Sequence, residues 1–201
     1  MREGLIPHAV AAVMRLRTSA AEARPLAELL AEYDPQLPLE EASTIPASWY
    51  IDPRVLALER KTTFARTWQL AARADQVREP GQYVTCEIAG EPILVVRGED
   101  GVLRGFFNVC RHHAAAVMTQ PQGCAKNLRC PYHGWTYALD GKLKGTPSFN
   151  AECHFDRAAH GLAPVAIHEW ENWVFVRLDA QGLSFEEAFG SRLLNEIGLL
   201  G

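Results

Sequence analysis

The spacing of apolar side chains changes character part-way along the chain. Ahead of Gln76 it is helical. Residues 20–33 are good helix formers with a period near 3.6, residues 34–46 interrupt them with three prolines, and Asp52-Pro53 reads as an N-cap followed by a first-turn proline. The helix starting there is expected to run from Pro53 to about Thr67, with Leu56, Phe64 and Trp68 on one face. After Gln76 the period shortens. Residues 82–88 alternate as a strand, residues 92–97 form a short apolar run, and Ala89-Gly90-Glu91 is the turn between them. Asp100-Gly101 is a second hairpin turn, leading into residues 102–109. Residues 126–130, 136–139 and 142–143 are further short strands, the last two joined at Asp140-Gly141; residues 165–170 and 173–178 form another hairpin about Glu171-Asn172. Ser184, with Glu186 and Glu187 in the first turn, opens a final helix.

Many short strands with turns at close spacing predict a mainly β protein, an antiparallel β sandwich or small barrel with a helical N-terminal region and a short C-terminal helix. The expected divisions are a helical extension and Pro-rich connector over 1–45, a helical lead-in over 46–76, the β domain over 77–180 and the C-terminal helix over 181–201.

Composition narrows the class. Of 201 residues 48% are apolar and 22% charged, enough for a buried core without disulfides. The net charge of −4 provides no global basic field, so nucleic acid is not an expected partner, and no run is long and apolar enough for a membrane span. The five cysteines, Cys86, Cys110, Cys124, Cys130 and Cys153, are an odd number with no secretory signal ahead of them, so a reducing, cytoplasmic setting is expected. Residues 1–24 carry Arg2, Arg15, Arg17 and Arg24 against Glu3 and Glu22; this loosely resembles a transit peptide but is read as an amphipathic helix or an overextended start.

Two motifs in the β region carry the chemistry. Cys110-Arg111-His112 and Cys130-Pro131-Tyr132-His133-Gly134-Trp135 together read C-x-H, seventeen residues, C-x-x-H, each motif following a predicted strand. A [2Fe–2S] cluster needs four ligands, and in a Rieske centre two histidines replace two cysteines on one iron and raise the potential. Cys110 and Cys130 would hold the inner iron, His112 and His133 the outer one, so that two loop tips clamp the cluster. The thiolates favour the ferric state, and the neutral imidazoles leave the outer iron easier to reduce. Pro131 would stiffen its loop and Gly134 would let the backbone pass close to the sulfides. Structural zinc, with paired C-x₂₋₄-C or H-x₃₋₅-H spacing, fits this order poorly.

With Asn108-Val109 leading into the first motif and Leu128-Arg129 into the second, followed by Thr136-Tyr137, the chain resembles the Rieske domain of ring-hydroxylating oxygenase alpha subunits. The upstream run Ile45-Pro46-Ala47-Ser48-Trp49-Tyr50 leans toward the choline and glycine-betaine monooxygenase branch. The resemblance covers about residues 37–179. It implies one Rieske-type [2Fe–2S] cluster, an oxidoreductase component, reduction by a flavin/iron–sulfur reductase or ferredoxin, and delivery of the electron to an oxygenase catalytic domain. Respiratory Rieske proteins, as a family, carry two extra cysteines and a serine hydroxyl beside the cluster. Here those positions are Ala115, Tyr132 and Trp135, which implies a potential in the lower part of a range spanning about −150 to +300 mV. The family commonly has arginine after the first histidine; here it is His113, either a pH-sensitive group beside the cluster or, the favoured reading, a neutral surface substitution, and it is not counted as a ligand.

His154, Asp156, His160 and His168 lack the spacing of a mononuclear-iron triad and are read as loop and surface residues. Cys86 is expected to be a small strand hydrophobe, Cys124 and Cys153 bystander loop thiols, and Trp135, Tyr137, Trp170 and Trp173 packing residues. Arg111, Lys126 and Arg129 could form a docking patch for an acidic redox partner or be ordinary solvated charge. The chain stops where a catalytic domain would begin and contains no mononuclear-iron motif and no G-x-G-x-x-G, so the expected role is the electron-relay portion of an oxygenase alpha subunit. A stand-alone Rieske ferredoxin and a zinc-binding interaction module remain the alternatives.

Overall fold

The computed structural model describes residues 24–147 and 155–198. Residues 1–23, Cys153 and His154 lie outside them, and with them most of the Arg-rich N-terminal stretch. The chain divides into two compact units, one ending at Leu56 and one starting at Ala57.

In the first unit the expected helix over 20–33 shrinks, among the described residues, to α1 (Leu26–Leu30), because Pro25 holds an extended backbone at its start and the chain turns off after Ala31. Leu29 is buried, and its carbonyl accepts the indole N–H of Trp49 (2.9 Å) from α2 (Ala47–Ile51). Tyr33 meets the same indole edge-on at 5.7 Å. Asp52 caps α3 (Pro53–Glu59) as expected, its carboxylate accepting the Arg54 N–H at 2.9 Å. Within the second unit, which starts at Ala57, the chain continues as a π turn over Arg60–Phe64 and the helical path ends there, short of Thr67. The buried side chain of α3 is Val55, whereas Leu56 and Phe64 are exposed.

The second unit is built of antiparallel strands. β1 (Gln69–Arg73), β2 (Gln82–Ile88), β3 (Glu91–Arg97), β4 (Leu103–Phe107), β5 (Gln122–Cys124), β9 (Pro164–Trp170) and β10 (Trp173–Arg177) form one sheet in the order β1-β10-β9-β4-β3-β2-β5. β6 (Leu128–Arg129), β7 (Thr136–Tyr137) and β8 (Leu143–Gly145) form a second. β3 shows how the sequence makes two cores from one strand. Its run Ile93-Leu94-Val95-Val96 is wholly buried, and because successive side chains point to opposite faces, Ile93 and Val95 join Val84, Val165, Val174 and Val176 on one side. Leu94 and Val96 join Phe106, Leu128, Tyr137 and Leu143 on the other, where Cys110 and Cys130 also lie. Each such side chain contributes about 1.5–3 kcal/mol by leaving water.

The expected hairpins are present. Ala89 and Gly90 both take positive φ (55° and 88°), as a two-residue turn of the right twist demands, and the Asp140 carboxylate accepts the Lys142 N–H at 3.0 Å. Two strands escape the alternation pattern. β1 (QLAAR) lies ahead of residue 77, within the stretch expected to be helical. It carries no β-branched residue and is held by its pairing with β10 across a bulge between Leu70 and Ala72. β5 (QGC) is a three-residue edge strand with every side chain exposed, so Cys124 sits in a strand and not in a loop. The final helix starts at Ser184 through a capping box with Glu187, but Gly190 divides it into α4 (Phe185–Phe189) and α5 (Ser191–Gly198). Phe185 of α4 is buried and stacks on His168 at 4.2 Å, which places His168 half-buried in β9 and not in a surface loop.

Candidate metal centre

The two sequence motifs form two loops, residues 110–115 after β4 and residues 130–135 between β6 and β7. Each closes with the same pair of backbone bonds. In the first, Cys110 N donates to Ala115 O (2.8 Å) and Ala114 N to Cys110 O (3.0 Å); in the second, Cys130 N donates to Trp135 O (2.9 Å) and Gly134 N to Cys130 O (3.0 Å). The fifth residue of each is left-handed, with φ 57° at Ala114 and 73° at Gly134. Gly134 adopts this conformation without strain. A Cβ there would also stand 3.3 Å from Pro147 Cγ and 3.4 Å from Arg129 Nη2.

Both turns point their cysteines inward and their histidines outward. Cys110 and Cys130 are buried at 3% and 2% exposure. His112 is half-buried and lies flat on the indole of Trp135, ring centroids 4.7 Å apart and planes 6° from parallel. His133 is exposed, 4.8 Å from His112 by ring centroid, with Tyr132 stacked on its other side at 3.9 Å. Burial raises the Cys130 thiol, and a hydrogen bond with the Cys110 thiol adds to this, while the Tyr132 and His133 backbone N–H groups aimed at the sulfur pull the other way. Desolvation, reinforced by His113 and His133, lowers the His112 imidazole and favours its neutral form, the form that ligates metal. Cys86, half-buried in β2 away from this site, is pushed up to about 11 by burial and stays an inert thiol.

Two neighbours matter more than their sequence context indicated. Tyr137 is fully buried, and its hydroxyl accepts the Arg111 N–H (2.9 Å) while standing 3.4 Å from Cys110 Sγ. Once that sulfur is a thiolate, the phenol is the only donor of the two. Asn108, at 3% exposure, clasps the far end of the first loop. Its amide donates to Met118 O (2.7 Å), and its carbonyl oxygen accepts from Val117 N (3.1 Å) and Met118 N (2.9 Å). A lone amide inside the apolar run Phe106-Phe107-Asn108-Val109 is the signal that could have marked it, since a buried polar group must be paired. Arg111, Lys126 and Arg129 are exposed around the loops. Asp156 caps its own turn, its carboxylate accepting Ala158 N, and His160 Nδ1 lies 2.8 Å from the Asp156 carbonyl; the His160 ring meets Trp135 edge-on at 6.3 Å, so it packs beside the centre through the indole that stacks on His112 without joining the grouped His112, His113 and His133.

Residues 67–166 match the model of the Rieske [2Fe-2S] domain. The chain is 37% identical over 151 residues to choline monooxygenase, chloroplastic, of Spinacia oleracea, covering 75% of this chain and 34% of that protein. It is 41% identical over 138 residues to the glycine betaine monooxygenase oxygenase subunit of Chromohalobacter salexigens, covering 69% and 31%. Among solved structures, that of the quaternary ammonium Rieske monooxygenase CntA with L-carnitine superposes with a TM-score of 0.73 at 30% identity, covering 79% of this chain and 45% of that one. The chain thus spans about a third of the length of these two curated relatives. The class is that of the Rieske [2Fe–2S] domain, a carrier of one cluster whose chemistry is electron transfer. Within that class the chain is related to the Rieske oxygenase alpha subunits, its matches including choline, carnitine and glycine betaine monooxygenases. No helix among the described residues is long and apolar enough to cross a membrane.

The residues present fit such a cluster. Two thiols and two imidazoles make the mixed donor set it requires. The Nδ1 atom of His112 is buried and has no hydrogen-bond partner among the described residues, a cost that a metal bond would remove.

Proposed function

We propose that Cys110, His112, Cys130 and His133 are the four cluster ligands, and that the domain of residues 77–180, with β1 ahead of it, relays single electrons within an oxygenase alpha subunit of the quaternary-ammonium type. The observation carrying this is the matched pair of loops, each sending a cysteine inward and a histidine outward. Bound there, the cluster supplies a one-electron couple. The chain's own residues do the rest. The buried core around Cys110 and Cys130 keeps water from the sulfurs, Trp135 fixes the plane of His112, and the exposed edge of His133 gives a partner the shortest approach. Residues 181–201 begin the connection toward a catalytic domain that holds the acceptor iron. The donor is a reductase or ferredoxin. An acidic surface on it would suit the stretch from Leu103 to Pro147, which holds six Lys or Arg and one acidic residue in a chain of net charge −4.

The test is an EPR spectrum of anaerobically purified, dithionite-reduced chain, with iron and zinc counted on the same sample. About two irons per chain and a rhombic Rieske-type signal are expected, both lost in Cys110→Ser or Cys130→Ser. Zinc in place of iron, or a cluster that survives either substitution, would refute the ligand assignment.

A further inference from the structure

Loop 2 places its histidine ligand at the fourth residue, His133. The equivalent step of loop 1, which makes the same turn, is held by His113, whereas the proposed ligand His112 is the third residue. Loop 1 therefore presents two imidazoles side by side, ring centroids 3.8 Å apart, and His133 faces both, at 4.8 Å from His112 and 5.3 Å from His113. One ligand atom from each of the three histidines lies within 4.8 Å of the other two. His112 Nδ1 is the buried, unpartnered atom noted above, and His113 and His133 are exposed, so their rings can turn without disturbing the core.

We propose that His113 makes the outer end of this centre a three-imidazole site for a divalent transition-metal ion of the Zn²⁺ type, and that this ion and the cluster exclude each other. The exclusion rests on the ligand reading above, because His112 and His133 would serve both. Three neutral imidazoles with water in the fourth position are a donor set that zinc accepts in tetrahedral geometry. Metal–nitrogen bonds near 2.0–2.1 Å require nitrogens about 3.4 Å apart. Rotation of the two exposed rings supplies that closure. The cysteines, buried beneath the rings, take no part. An arginine at position 113 would remove the third ligand, so the site is a property of this chain's histidine.

The test uses the whole chain freed of iron, titrated with Zn²⁺ against a chromogenic chelator. One zinc per chain is expected, with His113→Ala weakening the affinity on the order of 10-fold or more. The double variant Cys110→Ser/Cys130→Ser should bind zinc as the parent does. Equal affinity in the parent and His113→Ala overturns the proposal, as does zinc binding that disappears with the cysteines, which would put the ion on sulfur. Should the iron-free chain not fold, the loaded chain answers the same question: excess Zn²⁺ should bleach the visible absorbance faster in the parent than in His113→Ala, and equal rates overturn the proposal. Iron is counted in every sample. A double cysteine variant that still loads iron overturns the ligand reading and the exclusion with it, by a route separate from the zinc affinities.

Discussion

Residues 110–115 and residues 130–135 close through the same two backbone hydrogen bonds and the same left-handed fifth residue, yet the sequence reaches that turn by different means. Loop 2 sits between two strands of a small sheet, with Pro131 near its start and Gly134 where φ is positive, so its turn is written locally. Loop 1 has neither residue. It places Ala114 at φ 57° and is held from outside, by the Asn108 clasp on Val117 and Met118 and by Tyr137 on the Arg111 N–H. A turn can thus be fixed by its own residues or imposed by its surroundings, and the two cases respond differently to mutation.

The largest effect should come from the imposed turn. Asn108→Ala removes three hydrogen bonds and leaves the Val117 and Met118 amides and the Met118 carbonyl without their partner. Each buried group left unpaired costs about 1–3 kcal/mol, so a loss near 3 kcal/mol is expected in urea unfolding of the loaded chain, with faster loss of iron. Asn108→Asp keeps the acceptor and should recover part of it. Gly134→Ala, the corresponding insult to loop 2, should cost less, about 1–2 kcal/mol, from the left-handed backbone and the Pro147 contact. If the glycine change proved the costlier of the two, the contrast between a local and an imposed turn would fail.

The loops also differ in what faces their sulfurs. The Cys110 sulfur has a phenol beside it, whereas the Tyr132 and His133 backbone N–H groups face Cys130. Tyr137→Phe removes the phenol donor. A donor favours the more negative, reduced state, so the reduction potential should fall. A bond worth about 1 kcal/mol corresponds to roughly 40 mV for one electron. Spectroelectrochemical titration of parent and variant measures it, and an unchanged potential would mean that the phenol only packs. The same donor offsets part of the low potential expected from Trp135 standing where respiratory Rieske proteins carry a serine.

What was legible in the sequence follows the same division. The hairpin turns at Gly90, Gly101 and Gly141 and the cap at Ser184 are written in consecutive residues, and each appears where the spacing put it. The fold class was legible for the same reason, through the alternation of β2, the short apolar run of β3 and the turn between β9 and β10. What the sequence concealed depends on distant partners. Gln69–Arg73 is a strand because β10 lies beside it, and helix propensity in its alanines points the other way. Asn108 and Tyr137 looked like a family residue and a packing aromatic, because their partners lie ten and twenty-six residues away.

The smallest effect is also the one that separates the two kinds of turn most directly. Ala114 carries a side chain at φ 57°, where an L-residue other than glycine pays about 1–2 kcal/mol. Glycine would remove that strain but adds about 0.5–1 kcal/mol of chain entropy in the unfolded state. Ala114→Gly should therefore stabilise the chain by about 0–1.5 kcal/mol, while Gly134→Ala destabilises it. Opposite signs at equivalent positions, read from the same urea transitions with iron content unchanged in Ala114→Gly, are what a shared turn with unequal local encoding requires. A loss of stability in Ala114→Gly would mean that the Ala114 methyl is itself part of the packing that imposes the turn, and loop 1 would then be encoded more locally than its hydrogen bonds indicate.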